Sequence, residues 1–93
     1  MAKKYEIMMV FSVKDGEEAA KALQERFTDL IGQNGTLGEV DEWGKRALAY
    51  PINDEPEGWY VVVNYEAEPT FPVELERRLK ITEGVLRFLN IAQ

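Results

Sequence analysis

Apolar and polar residues alternate along the first segment of the chain. Tyr5, Ile7, Met9 and Phe11 recur at every second position, which predicts a β-strand over residues 5–13. After Asp15 the period lengthens, and a stripe of apolar residues follows helical spacing: Ala20, Leu23, Phe27, Leu30 and Ile31. The pattern predicts a strand followed by an amphipathic helix of about five turns.

Two local signals bound this predicted helix. Asp15 and Glu18 have the spacing of a capping box, with Asp in place of the usual Ser or Thr. At the other end, Asn34 and Gly35 are residue types that end helices by adopting the left-handed conformation. We therefore expect a side-chain cap at the start and a left-handed residue at the end.

A long hairpin is predicted next. Residues 36–52 contain regularly spaced apolar residues whose phase breaks near Gly38 and Gly44, which indicates bulges in a bent strand. Residues 53–58 have the composition of a turn. Residues 59–68 then predict a strand with Val61, Val63 and Tyr65 on one face.

The last third of the chain predicts a second helix and a fourth strand. Thr70 is the expected cap, Val73, Leu75 and Leu79 form an apolar stripe, and residues 85–92 read as a strand. The order strand, helix, strand, strand, helix, strand predicts an α+β fold, the ferredoxin-like βαββαβ split unit. In this fold two helices cover one face of a four-stranded antiparallel sheet, and residues 1–93 are expected to form one domain.

The sheet face without helices is predicted to be apolar. Met8, Val10, Tyr60 and Val62 alternate with the core positions of their strands, and part of the last strand joins them. Such a face is unfavourable in water, so we expect a partner to cover it.

Composition narrows the possible chemistry. The chain contains no Cys and no His, which excludes disulfides, thiolate ligands and the commonest general base. Ser12 is the only serine and has no His to activate it. A group of acids lacks the spacing of a calcium loop and is interpreted as a solvated surface: Asp41, Glu42, Asp54, Glu55 and Glu57. The sequence predicts a protein that is not an enzyme and needs no cofactor or metal.

The net charge of −6 argues against a nucleic-acid partner when it is taken alone. The charge is unevenly distributed, because residues 14–70 carry five bases and thirteen acids whereas residues 1–13 and 71–93 each carry a balance of +1. A polyanion would therefore have to meet local basic sites. No apolar run approaches the roughly 18 residues of a spanning helix, so a cytoplasmic protein without membrane contact is expected.

Residues 44–53 read Gly-Lys-Arg-Ala-Leu-Ala-Tyr-Pro-Ile-Asn. This segment resembles the signature of the family of bacterial small-subunit ribosomal protein number six (bS6), in which a glycine is followed two places on by a base and then by Leu-Ala-Tyr-Pro-Ile. The Lys-Tyr-Glu opening of the first strand, a Gly-aromatic-aromatic start of the third and the element order support the resemblance over essentially the whole chain. Trp43 and Trp59 lie where other residues are expected.

The resemblance implies a structural constituent of the small ribosomal subunit that is located on the cytoplasmic ribosome. It also implies binding of 16S ribosomal RNA of the central domain together with small-subunit protein number eighteen, and a monomer when the chain is free. The expected contacts with the protein partner are Arg46, Leu48 and Tyr50 on the motif strand and Met8 and Tyr60 on the open face. The expected contacts with RNA phosphates are Lys3, Lys4, Lys45 and Arg87.

Other interpretations of these residues remain open. Leu48 and Tyr50 could be ordinary packing residues, and Arg46 could be a charge that prevents edge-to-edge aggregation. Lys3 and Lys4 could belong to a solvated chain end. For the whole chain, the alternative function is a small ligand-binding or regulatory module that forms a homodimer through the open face.

Two nucleic-acid motifs are matched only in part. Residues 57–65 superficially resemble the third strand of the RNA-recognition motif, but its first position is Glu57, its central stacking position would be Val61, and the first strand supplies no matching aromatic residues. We therefore expect an incomplete platform for base stacking. Residues 32–35 match a GXXG loop, but the next element is a strand, which indicates that these glycines end a helix.

Overall fold

Four strands and two helices follow one another in the predicted order. The computed structural model describes residues 2–52 and 55–93. The elements are β1 (Lys3–Ser12), α1 (Glu17–Asn34), β2 (Gly35–Ile52), β3 (Glu55–Ala67), α2 (Thr70–Ile81) and β4 (Val85–Ala92). The strands pair in the order β2-β3-β1-β4, and every neighbouring pair is antiparallel. The predicted ferredoxin-like fold is confirmed.

The hydrophobic core lies between the sheet and the two helices. Ile7 of β1 pairs with Val63 of β3, and Phe11 of β1 pairs with Trp59. These residues are buried together with apolar side chains of both helices, which are Ala20, Phe27 and Ile31 of α1 and Phe71, Leu75 and Leu79 of α2. Because each large apolar side chain contributes about 1.5–3 kcal/mol when it is buried, this layer holds the helices against one face of the sheet.

The start of α1 differs from the prediction. Gly16 occupies the N-cap position with a φ of 97°, and no side chain within the described residues caps the first turn, so the capping box of Asp15 and Glu18 is wrong. The reason is a tight turn after β1, in which the N–H of Gly16 donates to the carbonyl of Val13 at 3.0 Å. This turn places Gly16, not Asp15, at the helix entry.

α1 ends at Asn34 as predicted, but the predicted left-handed conformation at its end and the predicted cap of α2 are wrong. Gly35 has a φ of −171°, so it is extended and already belongs to β2. A Cβ at Gly35 would collide with the carbonyl oxygen of Glu66 and lie 2.9 Å from the Cβ of Ala67, so close strand approach explains this glycine. Thr70 is the first residue of α2 and Pro69 is the N-cap, so Thr70 does not cap the helix.

The bulges predicted in β2 are confirmed. The register of β2 against β3 shifts between Leu37 and Val40, around Gly38, and again between Glu42 and Gly44. Gly44 has a φ of 81°, a backbone conformation that side chains with a Cβ rarely adopt. Each bulge changes which β2 residues face the helices and which face the other side.

The segment predicted as a turn, residues 53–58, is mostly strand. β3 begins at Glu55 and continues through Gly58, which pairs with Ser12 of β1, while Asn53 and Asp54 lie outside the described residues. A Cβ on Gly58 would lie 2.5 Å from Cγ1 of Val10. A glycine is therefore needed at position 58 for close packing against Val10, and not for a turn.

Candidate functional site

The sheet face opposite the helices, called the open face below, exposes apolar side chains. Cross-strand pairing places Met8 between Val62 of β3 and Leu89 of β4. Leu89 is 50% exposed and Ile91, two residues on, is 47% exposed. Isolated exposed apolar residues are ordinary, but a row of them on one sheet face indicates a surface that becomes covered.

Val10 shows that part of the open face is already covered within the chain. It lies between Tyr60 and Arg87 in the sheet and is fully buried. Its Cγ1 and the Cδ2 of Leu48 both lie beside Gly58. The expectation that a partner covers Val10 is wrong. Gly58 has no side chain, and the chain itself can therefore bury Val10.

The predicted protein-partner residues lie mainly on this open face. Met8 and Tyr60 are half-buried on neighbouring strands, and Arg46 pairs with Gly58 and is exposed. Leu48 is half-buried, whereas Tyr50 is 63% exposed and is not a core residue. The structure therefore brings Met8, Tyr60, Arg46 and Leu48 onto one surface.

The predicted RNA-contacting residues are separated. Arg87 lies on the open face of β4 and is exposed. Lys45 pairs with the core residue Trp59 and faces the helices, where its Nζ lies 3.8 Å from Oε2 of Glu17. Both partners of this ion pair are exposed, so it contributes little to stability and leaves Lys45 accessible.

Lys3 and Lys4 lie at the other end of the sheet. They pair with Ala67 and Glu66 in β3 and so belong to β1, and both are exposed. The N–H of Gln93 donates to the carbonyl of Lys4 at 2.9 Å and extends the pairing on the β4 side. At about 3.4 Å per residue, the length of β1 separates Lys4 from the Ser12 end of the sheet by about 27 Å.

An aromatic pair on the open face was missed by sequence reasoning. Trp43 stacks on Tyr60 with ring centroids 6.1 Å apart and ring planes 12° apart. Trp43 Nε1 donates to Oδ2 of Asp41 at 2.9 Å, and Arg46 Nε donates to the carbonyl of Trp43 at 3.3 Å. The only sequence signal for this pair is Gly44, since a glycine at a bulge turns adjacent residues toward the same neighbour.

Asn90, the polar residue in the apolar β4, faces the core side and has a structural role. It exchanges hydrogen bonds with the hydroxyl of Tyr65, with Asn90 Nδ2 donating at 2.9 Å and the hydroxyl donating to Oδ1 at 3.2 Å. Burial raises the pKa of Tyr65 to about 12, and the bond to Asn90 opposes this shift. This pair therefore stabilises the side of the sheet that faces the helices and takes no part in the open face.

The fold and this surface define a class of protein: a small α+β protein whose exposed sheet face is suited to docking another macromolecule. The hydroxyl of Ser12 donates to Oε1 of Glu55 at 2.5 Å, which gives this serine a structural partner. Over residues 2–52 and 55–93 no cluster of carboxylates is arranged to hold a metal ion. In the same part of the chain no helix combines the length and the apolar character needed to span a membrane.

Comparison with known proteins gives the particular family. The family model described as "Ribosomal protein S6" matches residues 4–92. The small ribosomal subunit protein bS6 of Clostridium novyi (strain NT) is 47% identical over 88 residues, which cover 94% of this chain and 93% of that protein. The bS6 protein of Thermoanaerobacter pseudethanolicus is 51% identical over 90 residues, with coverage of 94% and 93%.

A solved structure agrees with these relatives. The crystal structure of 30S ribosomal protein S6 from Thermotoga maritima superposes with a TM-score of 0.91 at 26% identity and covers all of this chain and 89% of that one. The chain belongs to the ribosomal protein S6 family. It is a structural component of the cytoplasmic small ribosomal subunit and not an enzyme, as the sequence predicts.

Proposed function

We propose that this chain binds 16S ribosomal RNA of the central domain together with small-subunit protein number eighteen, as a heterodimer, during assembly of the small subunit. The observation that supports this best is the open face, where the exposed Leu89 and Ile91 lie on the same surface as Arg46 and Arg87. A surface that combines apolar area with arginines is typical of a docking site in a ribonucleoprotein particle.

The protein partner is assigned to the apolar part of the open face. Met8 lies on the central strand β1, Tyr60 lies on the neighbouring strand β3, and Arg46, Leu48 and Tyr50 lie on the edge strand β2. Burial of apolar surface stabilises an association by about 25 cal/mol per Å² before the costs of ordering are subtracted. Tyr50 contributes apolar contact at the edge, because it is exposed whereas Met8, Leu48 and Tyr60 are half-buried.

RNA is assigned to the basic residues Lys3, Lys4, Lys45 and Arg87. Each is exposed and can neutralise a phosphate, which releases counterions and makes binding salt-dependent. With a net charge of −6 the isolated chain repels RNA at long range. The proposal therefore requires that the partner supplies much of the RNA affinity, and that RNA binding by this chain alone is weak at physiological salt.

The test is a titration of the purified chain with purified small-subunit protein number eighteen, followed by addition of a central-domain RNA fragment. We expect a one-to-one heterodimer that binds the fragment far more tightly than either protein does alone. Sedimentation of the free chain should show a monomer. Absence of a complex would contradict the proposal, and a homodimer of the free chain would favour a regulatory module that associates through the open face.

A further inference from the structure

The second bulge of β2 places two successive residues beside one tyrosine. Glu42 pairs with Val61 and Gly44 pairs with Tyr60, so Trp43 has no partner in the ladder between them. Gly44 has no side chain next to Tyr60, which leaves that space to the indole of Trp43. The stacked pair is therefore a consequence of the bulge and of the glycine within it.

This aromatic pair is held in place and is accessible. The hydrogen bond from Trp43 Nε1 to Asp41 orients the indole, and the bond from Arg46 Nε to the Trp43 carbonyl holds the backbone at this residue. The centroid distance of 6.1 Å between nearly parallel rings means that the rings are offset, so part of each remains uncovered, and Trp43 is 45% exposed. Preformed aromatic surfaces bind flat ligands without a large cost of ordering.

The charges around the pair favour an anionic, π-rich ligand. An open depression beside the pair, of about 450 Å³, is lined among the described residues by Trp43, Arg46, Ala47 and Tyr60. Arg87 lies in the same cross-strand row as Tyr60, two strands away at about 10 Å. Of the two acids that directly precede Trp43 on β2, Asp41 accepts the indole hydrogen bond, and Glu42 pairs with the core residue Val61 on the other face. An aromatic surface beside arginines matches a nucleotide, whose base stacks and whose phosphate pairs with a guanidinium.

The comparison with the RNA-recognition motif, which predicted an incomplete platform for base stacking, used only the residues of β1 and β3. The structure instead joins Tyr60 of β3 to Trp43 of β2, an arrangement that the alternation pattern does not reveal. Val61, which would have been the central stacking position, is fully buried and faces the helices.

We propose that Trp43 and Tyr60 form a stacking site for an unpaired base of a ribonucleotide strand, with Arg46 holding the adjacent phosphate. This inference rests on the proposed function and adds a direct base contact to it. The site lies at the β2 edge of the open face, while Met8 on β1 and Leu48, two residues beyond Arg46 on β2, remain for the protein partner. Tyr60 and Arg46 then mark the boundary between the two ligands.

The first test uses the chain alone and reports on Trp43 directly. Trp59 is buried and its Nε1 donates to Gln24, so Trp59→Phe removes the second indole and leaves Trp43 as the only tryptophan. At low salt we expect oligoadenylate to quench the remaining fluorescence to a saturating limit, and an abasic oligomer with the same number of phosphates to leave it unchanged. Equal responses to both oligomers, or no response to either, would overturn the stacking site.

The second test uses the heterodimer and the central-domain RNA fragment. Trp43→Ala should weaken RNA binding about tenfold, the loss expected for one base stacked on an aromatic ring, and Trp43→Phe should retain most of the affinity. Ile81→Ala is the matched control, because Ile81 is an exposed apolar residue on α2, away from the open face, and its effect should stay within about twofold.

The outcomes distinguish a failure of the stacking site from a failure of the proposed function. Loss of heterodimer formation in Trp43→Ala would show that the aromatic pair contacts the protein partner and would overturn the inference. Failure of the unaltered chain to form a heterodimer would refute the proposed function, while the fluorescence experiment would still decide whether Trp43 stacks on bases.

Discussion

Gly44 shows how one residue shapes the open face. Its φ of 81° lies in the region that residues with a Cβ avoid, and an added Cβ would meet no atom within 4 Å. The constraint at Gly44 is therefore conformational and not steric, unlike the close contacts that explain Gly35 and Gly58.

Gly44→Ala should lower the free energy of unfolding by about 1–2 kcal/mol, because alanine must adopt the left-handed conformation. The matched control is Gly32→Ala in α1, where an added Cβ also meets nothing and the helical backbone favours alanine by up to about 1 kcal/mol. Urea denaturation of both variants measures the difference. Equal stabilities would show that the bulge relaxes without cost.

Tyr65 gives a residue-scale prediction of pH dependence. Its pKa is raised from 10.0 to about 12, chiefly by burial, so the folded chain keeps a proton that the unfolded chain loses between these values. The contribution to stability is fully present below pH 10 and is lost as the pH rises toward 12.

Ultraviolet titration of tyrosine ionisation should therefore show a late transition near pH 12 that disappears in Tyr65→Phe. Tyr50→Phe, which removes an exposed tyrosine, should leave this late transition in place. Persistence of the transition in Tyr65→Phe would contradict the assignment.

At the scale of elements, α2 shows how one helix serves the core and the solvent at once. Leu75 and Leu79 are buried against the sheet, while Val73 is 72% exposed. On the solvent side Glu74 accepts hydrogen bonds from Arg77 and Arg78, and these bonds lower the pKa of Glu74 to about 2. Because these charges are exposed, the helix is held mainly by its apolar stripe.

Leu75→Ala should lower the free energy of unfolding by about 2–5 kcal/mol, since it leaves a cavity under α2. Val73→Ala, two residues earlier on the same helix, should change the free energy by less than about 0.5 kcal/mol. Chemical denaturation distinguishes the two, and a comparable loss in both variants would mean that α2 packs by a different face.

For the whole molecule, the arrangement of the sheet separates two basic regions. Lys3 and Lys4 lie near one end of β1, whereas Arg46 and Arg87 lie toward the other end on the open face. In a chain with a net charge of −6, each region acts locally and not through the overall field.

This separation predicts that equal charge reversals have unequal effects. Arg46→Glu should weaken heterodimer formation by at least about fivefold, because Arg46 lies on the proposed protein surface, and Lys3→Glu should change it by less than about twofold. Calorimetric titration with small-subunit protein number eighteen provides the measurement. Equal or reversed effects would refute the placement of the partner around Arg46.

Most of the fold could be predicted from periodicity. The alternation in β1 and β3 and the helical stripes of α1 and α2 correctly predicted the order of elements, and the core residues follow from the same spacing. The segment from Gly44 predicted the family. These patterns can be read from the sequence because burial of one face of a strand or helix requires apolar residues at a regular spacing along the chain.

Helix caps and individual surface positions could not be predicted in the same way. The caps assigned to Asp15 and Thr70 and the left-handed stop at Gly35 were wrong, because the turn after β1 and close contact between β2 and β3 decide the local backbone. Propensity is a weak guide where tertiary packing sets the conformation.

The sequence by itself determined the elements, their order, the core and the family, since each depends on spacing or on a contiguous motif. Only the tertiary structure decided that Val10 is covered, that Lys45 faces α1 and that Trp43 stacks on Tyr60. The physical reason is register: a shift of one residue at a bulge moves side chains to the other face of the sheet, and the position of that shift depends on the partner strand.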